Sequence, residues 1–214
     1  MTNINSRAIA EHRTDYVDHV RVHEIGLAGE LAAEATADDV LIDLEFDRSA
    51  PDVEVPPMGA VVVRPQDARG VTVTAVLVQH APVFPALGYR FDTPSGSVVF
   101  SGDTGPCDNV VRLAAGAEVL VHEVIDLDAL LGRLSSLPNF ETVRAQLARS
   151  HTPYDEVGLI ATRAGVRTLV LSHLVPGEGT HTPEEWEALV RPHFAGELIC
   201  GVDLDELSIA AGPA

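Results

Sequence analysis

Four histidines and one aspartate fall at or just past the ends of predicted elements. The strand VTVTAVLVQH closes on His80, EVLVH closes on His122, and TLVLSH closes on His173. His151 stands immediately before a helix start in RSHTP, and Asp103 follows the short apolar run VVFSG. Neutral imidazoles and a carboxylate presented from different strand ends of one sheet suit a zinc, manganese or iron site. The two oxygens of a carboxylate can also bridge two cations, which an imidazole cannot do. A single histidine at a strand end is more often a hydrogen-bonded structural residue. The inference therefore rests on the five residues together. His12, His19, His23, His181 and His193 lie in helical or loop contexts and read as surface or structural positions.

The elements that must position these residues change character along the chain. Residues 1–58 form a variable N-terminal region with a candidate strand at RVHEIGL, an extended VLIDLEF and a proline-rich loop over 47–59. AVVVRP and VTVTAVLVQH, joined by Gln66–Gly70, read as a hairpin, as do GYRFDT and SVVFSG around Pro94-Ser95-Gly96. After Asp103 helix and strand alternate. DNVVRLAAGA is a helix with an Asp or Asn N-cap and a glycine stop, and EVLVHEV is a buried strand. Residues 126–149 are largely helical with an interruption near Leu137-Pro138, and TPYDEVGLIATRAG is a helix capped by Thr152 with Pro153 in its first turn. TLVLSHLV is a strand, THTPEEWEALVRPHF starts on a capping box of Thr182 and Glu185, and ELICGVDL closes as a strand. Hairpins followed by βα units predict a layered α/β domain spanning residues 1–214, with its chemistry at strand C-terminal ends.

Composition narrows the partners. Asp and Glu number 32 against 14 basic residues, all arginine, for a formal net charge of −18. Such a surface repels polyanions and disfavours non-specific nucleic-acid binding. Cys107 and Cys200 form no metal knuckle or disulfide framework. The N-terminus has no secretory h-region and no apolar run reaches membrane-spanning length. These features predict a soluble, cytoplasmic protein.

The segments QHAPVFPALGYRF, VVFSGDTG, VLVHEV, SHTPYDEVGLIATRAGV and TLVLSHLVP, in that order over residues 71–176, resemble the metallo-β-lactamase-fold hydrolases. The similarity is to their ribonuclease Z and arylsulfatase-like branch. The resemblance implies an αββα sandwich, here mainly its C-terminal part, and a hydrolase that uses metal-activated water, with two zinc ions in the family. It implies His80, Asp103 and His173 as metal ligands, with Asp103 bridging. It implies His151, Glu123 and His122 as catalytic residues, with Glu123 of the His122-Glu123 pair orienting His151, which donates a proton or stabilises charge at the leaving side. It also implies Gly88-Tyr89 as a structural element.

The branch's H-x-H-x-D-H element is absent. HRTDYVDH, from His12 to His19, contains no H-x-H. The simplest reading places Met1 downstream of that element, leaving two protein ligands per cation where catalytic zinc sites typically use three. Uncovered strand surface then predicts a homo-oligomer, such as a dimer, unless residues 1–58 cover it. Only 22 residues separate His80 from Asp103, too few for the arm of the transfer-RNA-processing members. With the acidic charge, this argues against transfer RNA and for a small phosphodiester, aryl ester, lactone or sulfate ester.

Overall fold

The short apolar runs do become strands, and they pair in chain order. The structure is a computed structural model that describes residues 60–209 except 65, 67, 82, 84, 135–138 and 178, with backbone alone for 61–64. The predicted N-terminal region, with its strands and His12, His19 and His23, lies outside the described residues. The strands are β1 (Val61–Arg64), β2 (Thr72–Leu77), β3 (Leu87–Thr93), β4 (Gly96–Phe100), β5 (Val119–Ile125), β6 (Thr168–Val175) and β7 (Glu197–Cys200). They form one sheet in the order β1 to β7. The first four strands are antiparallel hairpin neighbours. From β4 onward the pairing is parallel. Parallel neighbours need long crossovers, and helices supply them.

Between β4 and β5 lies α1 (Asp108–Leu113); β5 is followed by α2 (Leu127–Leu134), α3 (Phe140–Ser150) and α4 (Tyr154–Ala164); α5 (Pro183–Val190) leads to β7. Helix α4 shows why the layer forms. Val157, Ile160, Ala161 and Ala164 recur at helical spacing and are all buried. They join Leu120, Val124, Leu169 and Leu171 of the sheet and Trp186 of α5 in one core. Gly165, at φ 66°, ends α4 in the left-handed conformation that glycine adopts without a Cβ penalty. At Gly158 a Cβ would lie 2.6 Å from His193 Cβ, so the missing side chain lets the chain after α5 approach α4.

Strand pleating assigns the sheet's two faces. Leu120 and His122, opposite Leu169 and Leu171, face the helical layer. Tyr89, paired with Phe100, and Val121, paired with Val170, face the other way. Phe100 remains 45% exposed on that second face and meets Phe91 edge to face at 5.9 Å. Among the described residues α1, α4 and α5 thus cover one face of this sheet, a half of the expected sandwich.

Several local expectations change. Helix α1 is capped by Cys107 without a side-chain bond, and Asp108 already lies in its first turn. Helix α4 starts one residue later than the Thr-Pro pattern predicts. Pro153 is its N-cap, because the Thr152 hydroxyl donates to Thr104 O at 2.6 Å instead of capping the helix. The Thr182–Glu185 capping box forms as predicted.

Candidate functional site

The C-terminal edge of β4, β5 and β6 gathers four of the predicted residues. Beyond β4 the chain turns sharply at Gly102, at φ 64°, where a Cβ would sit 2.8 Å from Leu87 O. This turn presents Asp103, whose side chain is about half exposed. Thr104 behind it is fully buried and fixes the turn. Its N–H donates to Glu123 Oε1 at 2.8 Å, and its hydroxyl accepts from Gln79 N at 3.1 Å.

His173 does not end its strand as the pattern predicts; it lies within β6 as the extra residue of a bulge. Glu123 pairs with Ser172 and Val124 with Leu174, leaving His173 without a partner in the ladder. Its φ of 44° is rare for a residue with a side chain and stores local strain. The bulge turns the imidazole outward. Nε2 comes to 3.8 Å from Asp103 Oδ2, an ion-pair separation and too long for a hydrogen bond.

His151 sits between the two other histidine rings. Its centroid is 5.3 Å from that of His80, edge to face, and 5.8 Å from that of His173. Its Nδ1 lies 3.1 and 3.2 Å from the two oxygens of Glu123. A carboxylate only accepts, so Nδ1 carries the proton. His151 closes the C-terminus of α3, where its backbone N–H donates to Leu147 O at 3.0 Å. That end of a helix dipole favours a cation. The Glu123 hydrogen bond, with further help from its charge and that of Asp103, lifts the His151 pKa above the usual imidazole value against partial burial. Burial in turn pushes the Glu123 carboxyl up, opposed chiefly by the His151 bond.

His80 lies three residues beyond β2, and its Nδ1 meets Ser150 O at 2.7 Å. His122 departs from the catalytic role inferred for it. It lies inside β5 on the helical face, completely buried, with Nδ1 at 2.7 Å from Glu123 O and Nε2 without a hydrogen-bond partner among the described residues. A ring enclosed in the core can neither meet substrate nor exchange a proton with it. His122 is therefore a structural residue.

The donor types around Asp103 suit a divalent ion, but their arrangement falls short. Among the described residues no group of three His, Cys, Asp or Glu side chains could hold a metal. These residues alone do not fit a catalytic metal centre.

Three contributors escape a reading by residue pattern. Thr104 and Thr152 look like turn and cap residues, and Ser150 looks like the unremarkable end of a helix. The only signal for them is that each directly adjoins a candidate site residue.

Residues 11–174 match the beta-lactamase superfamily domain, and the chain belongs to the metallo-β-lactamase superfamily. Within it, the chain is 38% identical over 143 residues to a ribonuclease Z of Mycobacterium tuberculosis, spanning 67% of this chain and 50% of that protein. A ribonuclease Z of Mycobacterium avium is 37% identical over 145 residues, spanning 68% of this chain and 50% of that protein. The chain thus covers about half the length of these relatives. Among solved structures, the metallo-beta-lactamase fold protein YhfI from Bacillus subtilis is 22% identical with a TM-score of 0.45, covering 60% of this chain and 45% of that one.

Proposed function

We propose that this chain is a hydrolase of ester-type substrates, phosphodiesters foremost, in which His151 gives a proton to the departing oxygen. The observation that carries this reading is the anchoring of His151 Nδ1 by a carboxylate that is itself 2% exposed. A neutral ring held this way presents a lone pair at Nε2, and the protonated ring presents an acidic N–H at that same atom. The raised pKa favours holding that proton near neutral pH. Glu123 orients the ring, while Asp103 and His173 supply charge and polarity beside it.

Phosphodiesters come first because the matched relatives bear the name ribonuclease Z. That name also counts against dismissing RNA on the net charge of −18 alone, so RNA belongs among the substrates assayed. Aryl esters, lactones and sulfate esters pose the same demand for a proton on a leaving oxygen. Zinc, manganese or iron at Asp103, His173 and His80 would need ligands beyond the described residues.

The test uses two phosphodiesters, one with p-nitrophenol and one with a simple alcohol as leaving group. Replacing His151 by Ala should slow the alcohol ester by about 10²–10⁴-fold and the p-nitrophenyl ester far less. Equal losses would remove the proton-donor role. A second reading, a non-catalytic module of the same fold, is favoured by the lack of a three-ligand group among the described residues. It wins if the purified chain carries much less than one metal ion and hydrolyses neither ester.

A further inference from the structure

The turn from Arg149 to Thr152 touches the site from several sides. Ser150 is 5% exposed. Its carbonyl meets His80 Nδ1 at 2.7 Å. Its hydroxyl lies within hydrogen-bond reach of Ala81 O and, at 2.9 Å, of Gln146 O, and can donate to one of them at a time. Across the turn, Gly105 packs so closely that a Cβ there would lie 2.2 Å from Arg149 O. Thr152 ties the same turn to Thr104 O at 2.6 Å. Ser150 therefore links the end of α3 to the segment that carries His80, one residue before His151.

We propose that Ser150 is a positioning residue that fixes His80 in the tautomer with its proton on Nδ1, leaving Nε2 as a lone-pair acceptor in the site. The chemistry of the contact is directional. A carbonyl oxygen has no proton to give, so the neutral His80 ring must place its own on Nδ1 to make the 2.7 Å bond. A histidine side chain in water favours the Nε2–H tautomer, so the protein must impose this one. The Ser150 hydroxyl imposes it by holding the carbonyl: one end of its reach is on Ala81, next to His80, and the other is on the preceding turn of α3. The same short segment then sets two rings together, His80 through the Ser150 carbonyl and His151 through its own backbone. A site that requires an acceptor from His80 and a donor from His151 obtains both polarities from one turn. This assignment rests on the site proposed above, but its test reads the ring directly and requires no activity.

Nitrogen-resolved NMR of the labelled chain, at a pH where His80 is neutral and in EDTA so that no metal biases the ring, reports which nitrogen is protonated. The expected result is a single His80 tautomer protonated on Nδ1. In Ser150→Ala the tautomers should mix, and the near-isosteric Ser150→Cys, a weaker donor, should fall between. A wild-type His80 protonated on Nε2 would overturn the proposal and leave the His151 role untouched. So would a folded Ser150→Ala chain that keeps the single Nδ1–H tautomer. If Ser150→Ala does not fold, Ser150→Cys decides on the same criterion.

Discussion

Replacing His122 by Asn should make the stability of this protein markedly less sensitive to acid. His122 is wholly enclosed by the core, and burial lowers its pKa from 6.5 to about 4, only partly offset by the bond to Glu123 O. The unfolded chain binds a proton at this ring as the pH falls through 6.5, while the folded chain stays neutral until about 4. In that window the unfolded state holds more protons, so stability is full above the window and declines as the pH drops through it. The gap corresponds to about 3 kcal/mol once the pH is below both values, with about 2 kcal/mol of it lost between about pH 7.5 and about pH 5. Asn keeps an amide N–H to bond Glu123 O but does not titrate. Trp186, the single tryptophan and 2% exposed, provides a fluorescence signal for urea unfolding. Wild type should lose about 2 kcal/mol more than His122→Asn between those two pH values, whatever cavity penalty the variant carries at both. Equal acid losses in the two proteins would refute the buried, neutral His122.

Replacing Glu123 by Gln should bring the His151 pKa down toward its ordinary value, seen as a shifted NMR titration of that ring; an unmoved titration would break the pairing. The sign also sets a stability trend: the His151–Glu123 interaction stabilises most while the ring is charged and fades as the pH rises through the folded pKa. Gly158→Ala should destabilise by about 1 kcal/mol in urea unfolding, because crowding of about 1–3 kcal/mol outweighs the roughly 1 kcal/mol helix gain of Ala. The crowding is with His193 Cβ, 2.6 Å from the new methyl. Thr182→Ala should cost about 1 kcal/mol in the same assay by opening the capping box at α5.

Patterns that are local in the chain were the legible ones. The turn at Pro94-Ser95-Gly96 announces the β3–β4 hairpin, and the Thr182–Glu185 spacing announces the start of α5. The placement of Asp103, His151 and Glu123 at one sheet edge followed from ordered motifs, and the structure brings those three together with His80 and His173. What stayed hidden depends on contacts between distant segments. Thr152 reads as a helix cap until Thr104, 48 residues away, offers its carbonyl. The bulge at His173 has no glycine to mark it, since its cause is the shifted register against β5.

His122 and Glu123 show most directly how position on a strand decides chemistry. They are neighbours in β5, so the pleat turns one side chain into the helical core and the other toward the site edge. On the core side His122 donates from Nδ1 to Glu123 O, and its burial disfavours the charged ring and costs stability in acid. On the site side Glu123 accepts from Thr104 N–H and faces Nδ1 of His151, linking the Asp103 turn to the proposed proton donor. The backbone carbonyl of Glu123 thus holds the buried histidine while its carboxylate holds the proposed proton donor. Moving the pair by one residue along β5 would exchange the two faces. It would put the carboxylate in the apolar core without its partners and the imidazole at the edge without its anchor, so the register of β5 between β4 and β6 is itself a requirement of the site.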